Sequence, residues 1–312
     1  MQILVEIIIK SGETALNLAL YILLPVLVVM MAFMRVLENK GLLGAIATKL
    51  APVLAFFGLP GIGVFALIQI QFISFAAPIV TLKIMENDQN ISNREIAATL
   101  AAILVMSQGN AIMPLAVLGL NIPIILLTSI TGGLIAAYLA YIFHGEDKFY
   151  KLQEEKSIKK SVVSEKSKVL PLLFKGGEEG FEIAIKSITP LLLAIFMVNI
   201  LREVSVIDWI EKLLSPALTK VGIPGVAILP IVTKYIAGGT AMLAIVMDLI
   251  SEGSITAVEL NRIAGFATNP FDPVGIALLV SAGNRVASVS KSAIKAAIIV
   301  ILLRGVIHLI IF

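Results

Sequence analysis

The sequence predicts an all-α, polytopic membrane protein with two inverted repeats, each holding an interfacial helix, a re-entrant hairpin and a broken helix. Three observations predict it. The chain is 58% hydrophobic and 14% charged, with a mean hydropathy of +1.00, whereas a soluble domain carries about 25% charged residues. It also repeats itself. Leu50-Ala51-Pro52, Gly58-Leu59-Pro60-Gly61, Glu95 and Gly119 recur as Leu214-Ser215-Pro216, Gly222-Ile223-Pro224-Gly225, Glu259 and Gly283, always 164 positions later. Finally, polar and proline residues interrupt the apolar segments at matching places in both copies. An internal repeat in a membrane chain is the signature of a transporter whose site lies where the repeats meet.

The first repeat is read as 1–143 and the second as 181–312, separated by a polar linker at 144–180 that is rich in lysine and acids and too polar to span. Apolar runs at 15–34, 121–143, 181–201 and 292–312 approach the ~20 residues of a spanning helix. Each repeat opens with such a helix, about 13–37 and about 180–203. An amphipathic stretch follows at 41–57 and 206–221, suited to lying in the interface. A Leu/Ile-Pro-Gly turn opens the segments 61–88 and 225–252. Capping boxes, Ser92-x-x-Glu95 and Thr256-x-x-Glu259, start the next helix by satisfying its free N–H groups. That helix is interrupted at mid-membrane, and a last spanning helix closes the repeat. Met1 to Ile9 is too short an apolar stretch for a leader and no small-residue cleavage site follows.

The segments 61–88 and 225–252 read as single crossings or as hairpins, and basic residues favour hairpins, because Lys and Arg collect in cytoplasmic loops. With hairpins, the linker side gathers Arg35, Lys40, Lys49, Lys83, Arg94, the linker lysines, Lys186, Arg285, Lys291 and Lys295. The other side keeps Lys10, Arg202, Lys212, Lys220, Arg262 and Arg304. The linker is then cytoplasmic and both termini lie outside, in a multi-pass protein of the cell membrane.

Four polar clusters fall at membrane depth. The first hairpin carries Gln69, Gln71 and Ser74, and the first broken helix Ser107, Gln108, Gly109 and Asn110. The second hairpin carries Lys234, Gly238, Gly239 and Thr240, and the second broken helix Thr268, Asn269 and Asp272. Backbone freed by a break must find partners that lipid cannot supply. Free helix N-termini attract anions and free carbonyls attract cations. The candidate substrate- or ion-binding set is therefore Gln71, Ser74, Ser107, Gln108, Asn110, Lys234, Gly238, Gly239, Thr240, Thr268, Asn269 and Asp272. A mid-membrane charge costs about 2.5–3.5 kcal/mol on insertion scales, so Lys234 and Asp272 either pair structurally or serve the site. For single residues such as Gln69, a hydrogen bond to a neighbouring helix is the plainer reading.

Other chemistries find little support. Without cysteine there are no disulfides, thiolate metal sites or cysteine nucleophiles. No phosphate loop and no His-Glu-x-x-His motif occurs, so neither an enzyme nor a metal centre is expected. His144 and His308, at helix ends, read as interfacial residues. A net charge of +3 makes no case for nucleic acid.

At the break residues the chain resembles a known family. Gly265-Phe266-Ala267-Thr268-Asn269 followed by Val274-Gly275-Ile276 is similar to the Gly-Phe-Ala-Asn…Ile-Gly-Ile stretch of concentrative nucleoside transporters. Met106-Ser107-Gln108-Gly109 resembles their Met-Thr-Gly-Gly, and Ala76-Ala77-Pro78 the end of their first hairpin. The order of elements is also theirs, and nearest are the nucleoside recognition, or Gate-domain, membrane proteins. That group includes the spore maturation proteins and the membrane core of ferrous iron transport protein B. The resemblance implies a midplane site between hairpins and broken helices, Na+ or H+ coupling, and a homo-oligomer or a related membrane subunit. The transporters' base-binding Gln-Thr-Glu falls here on Ser74-Phe75-Ala76, which cannot make the same hydrogen bonds. Their ribose-binding Asn and Ser fall on Thr268 or Asn269 and on Asp272, across a two-residue insertion with two prolines. The leading expectation is a secondary transporter of a small polar solute, a nucleoside or related metabolite. The alternatives are a non-transporting assembly or sensing partner and a metal-ion permease core.

Overall fold

The computed structural model describes residues 2–72, 77–145 and 169–312, except 207, 208, 210, 211, 214, 215, 217, 218, 221, 222 and 224. Ser74, the linker from 146 to 168 and much of the stretch 206–221 lie outside the described residues. Among the described residues there is no strand, and the chain is a polytopic helical membrane protein.

The first spanning element is α1 (Gln2–Asn17) and α2 (Leu24–Asn39), joined by six π-helical residues, Leu18–Leu23. Pro25 has no N–H to offer the ladder. The register slips beside it, and the Leu24 N–H bonds Ala19 O five residues back. Packed against this element is α9 (Val169–Glu203). Arg35 pairs with Glu179 at 2.7 Å at one end and Asn199 donates to Ser11 at 3.0 Å at the other, so the two run antiparallel. The helix starts well before the predicted residue 180. Leu172, Gly176, Gly180 and Ala184 form a buried stripe at four-residue spacing, hidden in the sequence by the exposed Lys175, Glu178 and Glu182. Gly176 and Gly180 meet the α2 backbone at Met31 and Leu27, where any side chain would hold the helices apart.

After α3 (Leu42–Leu54) the chain turns by 106° into α4 (Gly61–Phe72), as an interfacial helix feeding a membrane-entering one should. Helix α5 (Pro78–Asn87) folds back on α4. The second half does the same with α10 (Ile228–Ala237) and α11 (Gly239–Ser251), turning at Gly238, whose φ of +90° suits glycine. Both segments are thus hairpins.

Both capping boxes form, opening α6 (Asn93–Val105) and α12 (Ala257–Ala267). Each of these helices breaks and resumes, as α7 (Gly109–Val117) and α13 (Pro273–Val280). The last helices of the two halves are α8 (Ile122–His144) and α14 (Asn284–Ile311). Residues 93–117, 122–144 and 284–311 are each long and apolar enough to cross a membrane. From Ile96 to Val105 every residue of α6 is buried, which makes it the central helix of its half.

The halves are inverted. Glu86, where the first hairpin ends, accepts from the backbone N–H groups of Arg285 and Val286 at 3.0 Å, near the His144 end of α8. The second hairpin leads instead to Ala257, which packs on Gly119 at the opposite face. The last helices run antiparallel, and two contacts show the two-fold relation. His144 Nδ1 lies 3.2 Å from Ser292 Oγ, and His308 Nε2 lies 2.8 Å from Thr128 Oγ1. The 164-residue offset maps Thr128 onto Ser292 and His144 onto His308.

Candidate functional site

The two helix breaks meet. In the first, Met106 and Gln108 have extended backbone with ψ of 147° and 130°, so the ladder stops at Val105. In the second, the chain leaves the helix at Thr268 and restarts when the Asp272 carboxylate caps α13, accepting from Gly275 N–H at 2.8 Å. Gln108 then bridges the breaks, its backbone N–H donating to Thr268 O at 2.9 Å and its Nε2 to Asn269 O at 2.8 Å. Ser107 Oγ and Thr268 Oγ1 are 2.8 Å apart. Each break thereby supplies what the other lost, donors from the first and acceptors from the second.

Both hairpins reach this junction. Lys234, in the last turn of α10, is fully buried and pairs with Asp272 Oδ2 at 2.8 Å, while also donating to Phe271 O at 3.3 Å. Of the two outcomes the sequence left open, a direct pair is the one formed. Gly238 lies beside the Asp272 carboxylate and Gly239 beside Gln108 Nε2. Tyr235 donates from its hydroxyl to Phe266 O at 2.7 Å, capping the end of α12. From the first hairpin, Gln71 Oε1 accepts from Ser129 Oγ at 2.5 Å, and Ser129 Oγ accepts from Ser107 N–H at 2.8 Å. The α4 backbone at Gln71 and Phe72 presses on Gly109, where a Cβ would meet it at 2.9–3.2 Å.

Of the twelve predicted residues, Gln71, Ser107, Gln108, Lys234, Gly238, Gly239, Thr268, Asn269 and Asp272 converge here. Thr240 follows in the first turn of α11, and Asn110 is half-buried in the first turn of α7. Asn269 spends its side chain locally, donating to Phe266 O and accepting from Phe271 N–H. Gln69 takes the plain role, accepting from Thr81 Oγ1 at 2.7 Å.

Two residues lie elsewhere than the sequence predicts. Arg304, counted as a loop charge on the outer side, is 1% exposed inside α14. Its guanidinium donates to Val105 O and to Ser107 Oγ, the latter at 2.8 Å. Its stem passes over Gly132 of α8, the approach that requires glycine there. His308, expected at the interface, is fully buried, its Nδ1 donating to Asn261 O and its Nε2 bonded to Thr128 Oγ1, both at 2.8 Å. One signal was available for both: on α14 they fall one turn apart, on the same face as the buried Val300 and Ile301 rather than past the last apolar residue.

Residues 20–123 match the Gate family, described as nucleoside recognition. No curated protein sequence matches the chain. Among solved structures, the concentrative nucleoside transporter CNTnw in an inward-facing, substrate-bound state is similar with a TM-score of 0.68. The identity is 15%, over 99% of this chain and 83% of that one. An outward-facing double variant of CNTnw gives 0.67 at 17% identity, over 93% and 74% of the two chains. A variant in an intermediate state gives 0.68 at 17% identity, over the same shares. Inward, outward and intermediate states fit alike, so the likeness concerns the fold and not the conformational state. Residues 20–123 thus match the Gate model, and the chain as a whole shares its fold with these concentrative nucleoside transporter structures.

Proposed function

We propose that this protein is a secondary transporter of a small polar solute, a nucleoside or related metabolite, bound where the hairpin tips and helix breaks meet. One observation carries the reading: two helix breaks and side chains from both hairpins, Gln71 and Lys234, converge on a single buried polar junction. Such a junction opens toward one face or the other as one hairpin or the other withdraws. Gln108, Ser107, Thr268 and Asn269 then offer donors and acceptors to the solute. The linker faces the cytoplasm, with lipid around the helices, and coupling to an ion gradient drives accumulation.

The test is counterflow in proteoliposomes preloaded in turn with nucleosides, nucleobases and organic anions. Saturable, transient accumulation of the labelled solute is expected, weakened by Gln108→Ala. Folded protein with no counterflow across the panel overturns the proposal. The linker's side is tested separately by a cysteine at Ser161, unique in this cysteine-free chain. It should resist an impermeant thiol reagent in intact cells.

A second reading draws on the satisfaction of the junction. Its polar groups largely bond one another, as in a membrane assembly partner with a closed core. Stable co-purification with another membrane subunit and no counterflow would favour it.

A further inference from the structure

Carbonyls released at a helix break are natural ligands for a coupling cation. Here the chain already engages several of them. In the second break Thr268 O accepts from Gln108 N–H and Asn269 O from Gln108 Nε2. Pro270 O accepts from Asp272 N–H, and Phe271 O from the Lys234 ammonium. At the first break the carbonyl that ends α6, Val105 O, accepts from the Arg304 guanidinium, which also holds Ser107 Oγ. Each break therefore has a full positive charge on a freed carbonyl, delivered by a side chain.

The internal repeat shows that neither cation is a by-product of duplication. The offset places Ala140 opposite Arg304, Ala296 opposite Gly132 and Ile70 opposite Lys234. The arginine comes with the glycine that admits its stem, and both are alanine in the other copy. A side chain that costs so much to bury, with a passage cut for it, has a task at the break.

We propose that Arg304 and Lys234 are tethered cations standing where a coupling metal cation would bind, so that the breaks work without Na+ or Li+. Resting on the transporter reading, this narrows its coupling: a gradient that drives this protein is not a sodium gradient acting through the breaks. Arg304 is a positioning and coupling-determining residue on this view, and a C-terminal cap of α6 by its charge.

The experiment is the melting temperature of the purified chain in detergent, in NaCl, LiCl or N-methylglucamine chloride at equal ionic strength. The wild type should melt at the same temperature in all three. Arg304→Ala should melt lower and recover saturably with Na+ or Li+, and Arg304→Lys, which keeps a tethered cation, should stay indifferent. A saturable Na+- or Li+-dependent rise in the wild type that Ser107→Ala abolishes overturns the proposal. So does an Arg304→Ala protein that folds yet ignores both ions. If Arg304→Ala does not fold, the wild type and Arg304→Lys still decide. No solute enters this measurement, so a chain that fails counterflow leaves its outcome readable. Counterflow without Na+ tests the transporter reading alone.

Discussion

The first break carries no charge of its own: Ser107 and Gln108 are neutral, and Arg304 is brought in from α14. The second break holds both signs, Asp272 within it and Lys234 from the hairpin that packs on it. The first hairpin touches its break through a neutral relay, Gln71 to Ser129 to Ser107, while the second touches through an ion pair. Two copies of one design have diverged where backbone groups are exposed. The first hairpin is held to its break by neutral groups, and the second by an ion pair. The difference suggests which hairpin moves at lower cost, since parting Lys234 from Asp272 leaves two buried charges uncompensated and parting Gln71 from Ser129 leaves only neutral dipoles.

The largest effect should come from the ion pair. Lys234→Met strands a buried carboxylate and should destabilise the protein by about 3–5 kcal/mol, read as thermal unfolding in detergent. Adding Asp272→Asn should recover much of that, because Asn removes the charge and keeps the N-cap of α13. A double variant no better than the single one would break the comparison.

Next comes the passage for Arg304. At Gly132 an added Cβ would meet the arginine stem at 2.5 Å, so Gly132→Ala should cost about 1–3 kcal/mol as overpacking. Its counterpart change, Ala296→Gly, creates no clash and should cost about 1 kcal/mol, the helix propensity difference. Equal losses at both positions would mean the arginine is less closely held than its contacts imply.

The smallest effect lies at the capping boxes. Ser92→Ala removes a cap in partly buried surroundings and should cost about 1 kcal/mol. Thr256→Ala, at an exposed box, should cost less, because water replaces the lost partner. Melting temperatures of the two variants rank them directly.

Much of the fold was legible in the sequence, because its signals are local. Composition marked a membrane chain, the 164-residue offset marked two repeats, and Ser92-Glu95 and Thr256-Glu259 marked the helix starts. Polar residues beside glycine and proline marked the breaks. Each is set by neighbours a few positions away, through helix caps, missing N–H groups or turn geometry. Lysine and arginine bias even chose hairpins over single crossings. The start of α9 was missed because its packing stripe is small residues among charges, and small residues carry weight only when a partner helix is known.

Most of the junction's members were legible too, since polar groups at membrane depth are rare enough to notice one by one. Only the tertiary structure decided how they are used. Arg304 reaches Val105 and Ser107 from nearly 200 positions away, and Gln108 bridges to Thr268 and Asn269 across 160 or more. Such bonds depend on which helices lie side by side and at what height. Periodicity shows the face a residue occupies, but a carbonyl freed by a break carries no mark in the sequence of the distant donor that will satisfy it.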